Sequence, residues 1–210
     1  STALRDIGRI PKPTNGRRRG AAKRSLKRFC EIYHSETYNL GWSDDHLRVI
    51  RKMERSIRKG GLFALAMPRA SGKTSLTESA AQWALLFNFR SYVVLIGATE
   101  PAAGQLLESI KTDFGSNDLL LEDFPEVCLP IRKLEGNPAK RLNSEGHRIT
   151  TTITATELHL PWVHGGGKNA PSAGCVLSVK GITGQIRGGK HKLPDGRTIR
   201  PDFVIADDCQ

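Results

Sequence analysis

The sequence predicts an α/β fold with a mostly parallel central sheet flanked by helices, and three observations carry that prediction. Residues 92–96 and 203–206 are short, fully apolar runs of strand type. Segments with apolar residues at helical spacing alternate with them. The third is the stretch 62–74, where an apolar run ends in Met67-Pro68-Arg69-Ala70-Ser71-Gly72-Lys73-Thr74 and a helical pattern begins at once. Strand, loop, helix, strand, helix in that order implies parallel pairing with right-handed crossovers.

That third stretch has the order of a phosphate loop. Backbone N–H groups at a strand–helix junction point at an anion, and the helix dipole adds partial positive charge. Lys73 is placed to reach the outer phosphates of a nucleotide, and the Thr74 hydroxyl to ligate a magnesium ion. Met67 stands where the usual G-x-x-x-x-G-K-[ST] pattern has its first Gly, and Arg69 adds a second cation. The alternative is a chance Gly-Lys-Thr in a turn. The strand before and the helix after are the context that the motif demands.

The chain of 210 residues is long enough for one domain with a sizeable core. Its 38% hydrophobic and 25% charged residues fit a soluble globular class, and no apolar run is long enough to span a bilayer. Cys30, Cys128, Cys175 and Cys209 lack C-x-x-C spacing, which suits reduced thiols better than a zinc site or a disulfide framework. The net charge of +11 is uneven: residues 1–60 hold 16 Lys/Arg against 6 Asp/Glu. That surplus suits a polyanion such as DNA, or a solvated tail.

In chain order, residues 1–22 carry Pro11, Pro13, Gly16 and Gly20 around a run of three arginines, and read as extended or disordered. Residues 23–33 suit a short helix with Leu26, Phe29 and Cys30 on one side. Ser43 is a good N-cap, with Asp44 and Asp45 in the first turn. Leu47, Ile50, Met53 and Ile57 form one face of that helix, Arg48, Arg51, Lys52, Arg55, Arg58 and Lys59 lie largely elsewhere, and Gly60-Gly61 ends it. Leu76, Ala80, Trp83, Ala84 and Phe87 continue the helix after the loop. Pro101 suits the first position of another, striped by Ala103, Leu106, Leu107, Ile110 and Phe114. Residues 115–148 are irregular, 149–160 read as a Thr-rich strand or hairpin, 175–179 as a strand, and 190–198 as a basic exposed loop.

The last apolar run ends in Asp207-Asp208. Ligands of open α/β sheets sit at the carboxyl ends of the strands, so both carboxylates are expected beside the phosphate loop. Asp207 would hold magnesium, directly or through water, and Asp208 would polarise the attacking water.

Taken as a set in this order, several stretches resemble the large terminase subunit of tailed bacteriophages, a motor that packages DNA. They are Trp42-Ser43-Asp44-Asp45-His46-Leu47; residues 61–74, with an Arg before Gly-Lys-Thr; Asn117-Asp118-Leu119-Leu120-Leu121-Glu122-Asp123-Phe124-Pro125-Glu126-Val127; Gly184-Gln185-Ile186-Arg187-Gly188; and residues 200–208. The resemblance covers residues 42–210. It implies an ATPase of the additional-strand P-loop type with ATP and Mg2+ as cofactors; residues 1–41, outside it, read from composition as a basic, partly disordered segment with a short helix. By position, Pro68, Arg69, Ala70, Ser71, Gly72, Lys73, Thr74 and Ser75 would cradle the nucleotide. Arg69 would sense its γ-phosphate, and Arg187 would act on a neighbour's nucleotide. His46 stands nearest to the place where many terminases have an adenine-reading Gln. Asp208 is an Asp where many members have Glu, and Cys209 stands where the family usually has Pro.

The implied partners are double-stranded DNA, the portal protein and procapsid, the small terminase subunit, and further copies in a ring. The implied location is the host cytoplasm, docked on the procapsid, with no membrane. The chain reads as an ATPase domain incomplete at its C-terminal edge, without the family's nuclease domain. Two rival readings remain: a helicase-like or other P-loop ATPase acting on nucleic acid, and a basic DNA-binding fragment with a vestigial nucleotide site.

Overall fold

The computed structural model describes residues 4–61, 71–137, 139–183 and 189–207. Their elements run β1 (Leu4–Asp6), α1 (Gly16–Arg24), α2 (Leu26–Tyr33), α3 (Asp44–Lys59), α4 (Lys73–Leu86), β2 (Tyr92–Gly97), α5 (Glu100–Ser116), α6 (Asp118–Asp123), α7 (Pro125–Leu134), β3 (Arg141–Ser144), β4 (His147–Ile153), β5 (Glu157–Val163), β6 (Val176–Gly181), β7 (His191–Lys192), β8 (Thr198–Ile199) and β9 (Phe203–Ala206). The strand predicted over residues 62–67 lies outside the described residues.

One seven-stranded sheet has the order β1-β3-β4-β5-β6-β2-β9, and β7 and β8 pair separately. Strands β6, β2 and β9 are mutually parallel, as is β1 with β3. Pairing is antiparallel from β3 through β6. The sheet is therefore mixed. Residues 149–160 resolve as the end of one strand and the start of the next, with Thr154 closing the turn between them through bonds to Glu157.

Period-2 alternation divides the central strands between two faces. Val93, Leu95, Leu177 and Val179 enter the main core with residues from α1 to α7, including Trp83 and Phe114, and with Phe124 from the junction of α6 and α7. Tyr92, Val94 and Val176 form a smaller cluster on the other side, against Ile96 and Ile199. No helix among the described residues is long and apolar enough to cross a membrane.

The helix signals act as expected at α3. The Ser43 hydroxyl accepts from the His46 amide at 3.3 Å, and Gly60, at φ 78°, ends the helix in a conformation that Gly adopts without penalty. Thr99 caps α5, which moves Pro101 to the second helical position. The N-terminal segment departs from expectation. Residues 16–24 form a helix where the composition predicts an extended segment, and Ala22, Leu26, Phe29 and Cys30 are fully buried. Composition disfavours this helix, so long-range bonds hold it. Arg18 Nε donates to buried Asp123 at 2.6 Å, and the Arg19 guanidinium lies 4.5 Å from the Phe124 ring centroid. The predicted loop 190–198 includes the β7–β8 hairpin, with Leu193 buried between its strands.

Candidate functional site

Helix α4 starts where the sequence places the end of the phosphate loop. Gly72 is its N-cap, at φ 73° and ψ 18°, and no side chain caps its first amides. Those amides normally need an acceptor, so this terminus is chemically open to an anion. Lys73 is the first helical residue.

Strand β9 brings the predicted carboxylate to the same place. Its parallel register with β2, from Val93↔Phe203 to Ile96↔Ala206, carries Asp207 just past the strand end. The Asp207 amide donates to the Ile96 carbonyl at 2.8 Å. At the other end, Asp202 accepts from the Ser91 and Tyr92 amides at 2.9 Å each, which fixes the register. The Thr74 hydroxyl then donates to Asp207 Oδ2 at 2.9 Å across 133 positions of sequence.

His46 also meets the loop. Its Nε2 lies 3.0 Å from the Ser71 carbonyl oxygen. A carbonyl only accepts, so Nε2 carries the proton and Nδ1 accepts from the Ser43 hydroxyl at 2.7 Å. Trp42 packs edge-on to this imidazole and stacks on Tyr38 at 5.0 Å between centroids. Tyr38, Trp42, His46, Ser71, Gly72 and Ser75 help line a cavity of about 230 Å3. The Ser71 hydroxyl oxygen is buried there without a hydrogen-bond partner. An aromatic wall beside open helix amides suits a base joined to phosphates.

A second cavity, of about 400 Å3, lies at the strand ends and is lined by Thr74, Glu78, Ala98, Gln105 and Asp207. Thr74 and Asp207 are the hard oxygen donors that magnesium takes, usually one or two carboxylates supplemented by phosphate oxygens and water. Among the described residues no group of three His, Cys, Asp or Glu side chains could hold a metal by itself. The donor set thus fits an ion shared with a phosphate ligand better than a closed protein site.

Sequence reasoning missed three contributors. Tyr38 and Trp42 carry the aromatic wall; their spacing to Ser43 was visible, their stacking was not. Glu78 lies one turn beyond Thr74 and faces the Asp207 carboxylate. Burial pushes its pKa up and the charges of Asp113 and Asp207 add to this, while a bond from Ser109 and the nearby His34 pull it down. Behind it, His34 Nδ1 meets the Ser79 hydroxyl at 2.9 Å and Nε2 meets Asp113 Oδ2 at 2.8 Å, tying α2, α4 and α5 together. Pro68, Arg69, Ala70, Arg187 and Asp208 lie outside the described residues.

Comparison with protein-family models, with curated proteins and with solved structures finds no match to this chain.

Proposed function

We propose that this chain is a nucleotide-hydrolysing domain, the ATPase of a terminase large subunit that drives double-stranded DNA into a capsid. The observation that carries the nucleotide reading is the Thr74–Asp207 contact, which joins Gly-Lys-Thr to the acidic strand end. The motor assignment rests on the sequence resemblance, and its partners would be DNA, the portal and procapsid, the small subunit and further copies in a ring.

In this reading Lys73 and the α4 amides hold the outer phosphates. Thr74 and Asp207 would hold a magnesium ion, which would supply positive charge to neutralise the phosphates. Asp208 orients the attacking water and accepts its proton. Arg69 and Arg187 contribute guanidinium charge at the phosphates, Arg187 towards a neighbouring subunit. Tyr38, Trp42 and His46 contact the base.

Titration with Mg-ATP, followed by tryptophan fluorescence and thermal unfolding, tests this. A ligand at one hundred times its Kd stabilises the folded chain by about 2.7 kcal/mol. Lys73→Ala and Asp207→Asn should abolish that gain while remaining folded. If neither wild type nor the variants bind, the nucleotide site is vestigial and the basic DNA-binding reading stands in its place; equal binding by all three would overturn the assignment of Lys73 and Asp207 to the site.

A further inference from the structure

The cavity beside the open end of α4 is lined by three ring side chains, Tyr38, Trp42 and His46, each with polar atoms able to read the edge of a base. All of these atoms are committed inside the protein. Trp42 Nε1 donates to Glu31 at 3.0 Å. The Tyr38 hydroxyl meets that of buried Ser79 at 3.0 Å. Both nitrogens of His46 are taken, Nε2 by the Ser71 carbonyl and Nδ1 by the Ser43 hydroxyl. An indole has one donor and an imidazole two ring nitrogens, so Trp42 and His46 have no polar atom left for a ligand.

What this wall offers a base is ring surface. Leu40, 83% exposed, also borders the cavity and presents apolar surface that a flat base would cover. The exposed Thr37 hydroxyl lies on the same rim. A hydroxyl both donates and accepts, so it meets the amino group of adenine or the carbonyl of guanine equally well. A site built to hydrogen-bond one substrate group rejects analogues that lack it by about 10,000-fold or more, whereas apolar contact discriminates far less. Stacking tolerates any base, because every base has a π face.

Resting on the nucleotide reading above, we infer that this cavity holds a nucleobase by stacking and apolar contact without reading its edge, so that the site accepts adenine and guanine nucleoside triphosphates alike. His46 is then a positioning residue. It fixes the Ser71 carbonyl, and with it the turn that leads into α4, and leaves the choice of base open.

Calorimetric titration of the full chain with Mg-ATP, Mg-GTP and Mg-tripolyphosphate, the last without a base, tests this. ATP and GTP should bind within about tenfold of each other, and both more tightly than tripolyphosphate. Trp42→Ala should weaken both nucleotides by a common factor of about ten, and Trp42→Phe, which keeps a ring, by less. His46→Ala should weaken ATP, GTP and tripolyphosphate together, because its bond is to the loop. A preference of more than about a hundredfold for either nucleotide would overturn the inference and leave the nucleotide site standing. A His46→Ala loss confined to ATP would do the same. Tripolyphosphate binding as tightly as both nucleotides would put the base outside the cavity and overturn it too. If neither the nucleotides nor tripolyphosphate bind, the nucleotide reading itself falls and takes this inference with it.

Discussion

At the scale of single residues, the Thr74–Asp207 bond makes the sharpest demand. If its two oxygens hold magnesium, Thr74→Ala should weaken nucleotide binding only when the metal is present. A hydrogen bond to a charged group contributes about 1.5–3 kcal/mol, so the metal-dependent loss should be roughly ten- to a hundredfold. Equal weakening in magnesium and in chelator would assign Thr74 to packing instead. Asp113 gives a prediction of another kind. Burial alone would push its pKa up, but bonds from His34, Asn117 and Gln82 outweigh that and hold it below the usual carboxylate value. A depressed carboxyl stabilises the fold above its unfolded pKa of about 3.9 and loses that contribution as pH falls through the folded value. Asp113→Asn should therefore cost on the order of 1–3 kcal/mol at neutral pH, by denaturant unfolding. The gap to wild type should narrow once the pH falls below the unfolded value and close as it passes below the lower, folded one. A gap independent of pH would mean that Asp113 stabilises the fold by something other than its charge.

At the scale of elements, two glycines set how closely α5 approaches the strands that feed the site. A Cβ on Gly97 would lie 2.8 Å from the Ala103 amide nitrogen, and one on Gly181 would lie 2.9 Å from that of Glu100. Both obstacles are backbone, so neither gives way cheaply. Gly97→Ala should shift the first turn of α5, cost about 1–3 kcal/mol, and disturb the cavity that Ala98 shares with Asp207. A variant as stable as wild type would show that the turn relaxes freely. The same scale shows what was legible beforehand. Helices α3, α4 and α5 were readable because caps and apolar spacing agree along one segment. Strands β2 and β9 were readable as short apolar runs. Helix α1 was not, because Gly16, three arginines and Gly20 carry no helical stripe. Its stability comes from Asp123 and Phe124, about a hundred positions away. This argues that residues 16–33 belong to the core. Phe29 is fully buried against Tyr33, His34 and Phe87. Phe29→Ala should accordingly cost about 3–5 kcal/mol in equilibrium unfolding, where a loosely attached tail would register almost nothing.

At the scale of the whole molecule, the candidate site was partly legible for a geometric reason. Parallel strands deliver their carboxyl ends to one edge, so Gly-Lys-Thr and an acidic strand end could be expected to meet. The aromatic wall and Glu78 were not legible, since they depend on how α2 and the segment after it fold over α4. Helix α3 connects this site to the basic part of the chain. Its first turn bonds the loop through His46 and Ser71, and beyond it Arg48, Arg51, Lys52 and Arg55 stand exposed. Arg58 differs: its guanidinium covers the Trp83 and Phe89 rings and donates to the Lys23 carbonyl, so it serves packing. If the chain acts on DNA as proposed, the exposed cations pair with phosphates, and removing one such pairing lowers the slope of log K against log salt by about 0.9. The double variant Arg51→Glu, Arg55→Glu should then flatten that slope by roughly 2 and weaken duplex binding at low salt, while Mg-ATP affinity stays at the wild-type value. Both substitutions fall on exposed positions, so the fold should be unaffected. An unchanged salt slope would return this face to plain solvation. A coupled loss of nucleotide binding would mean that α3 carries changes at its basic face through His46 into the loop.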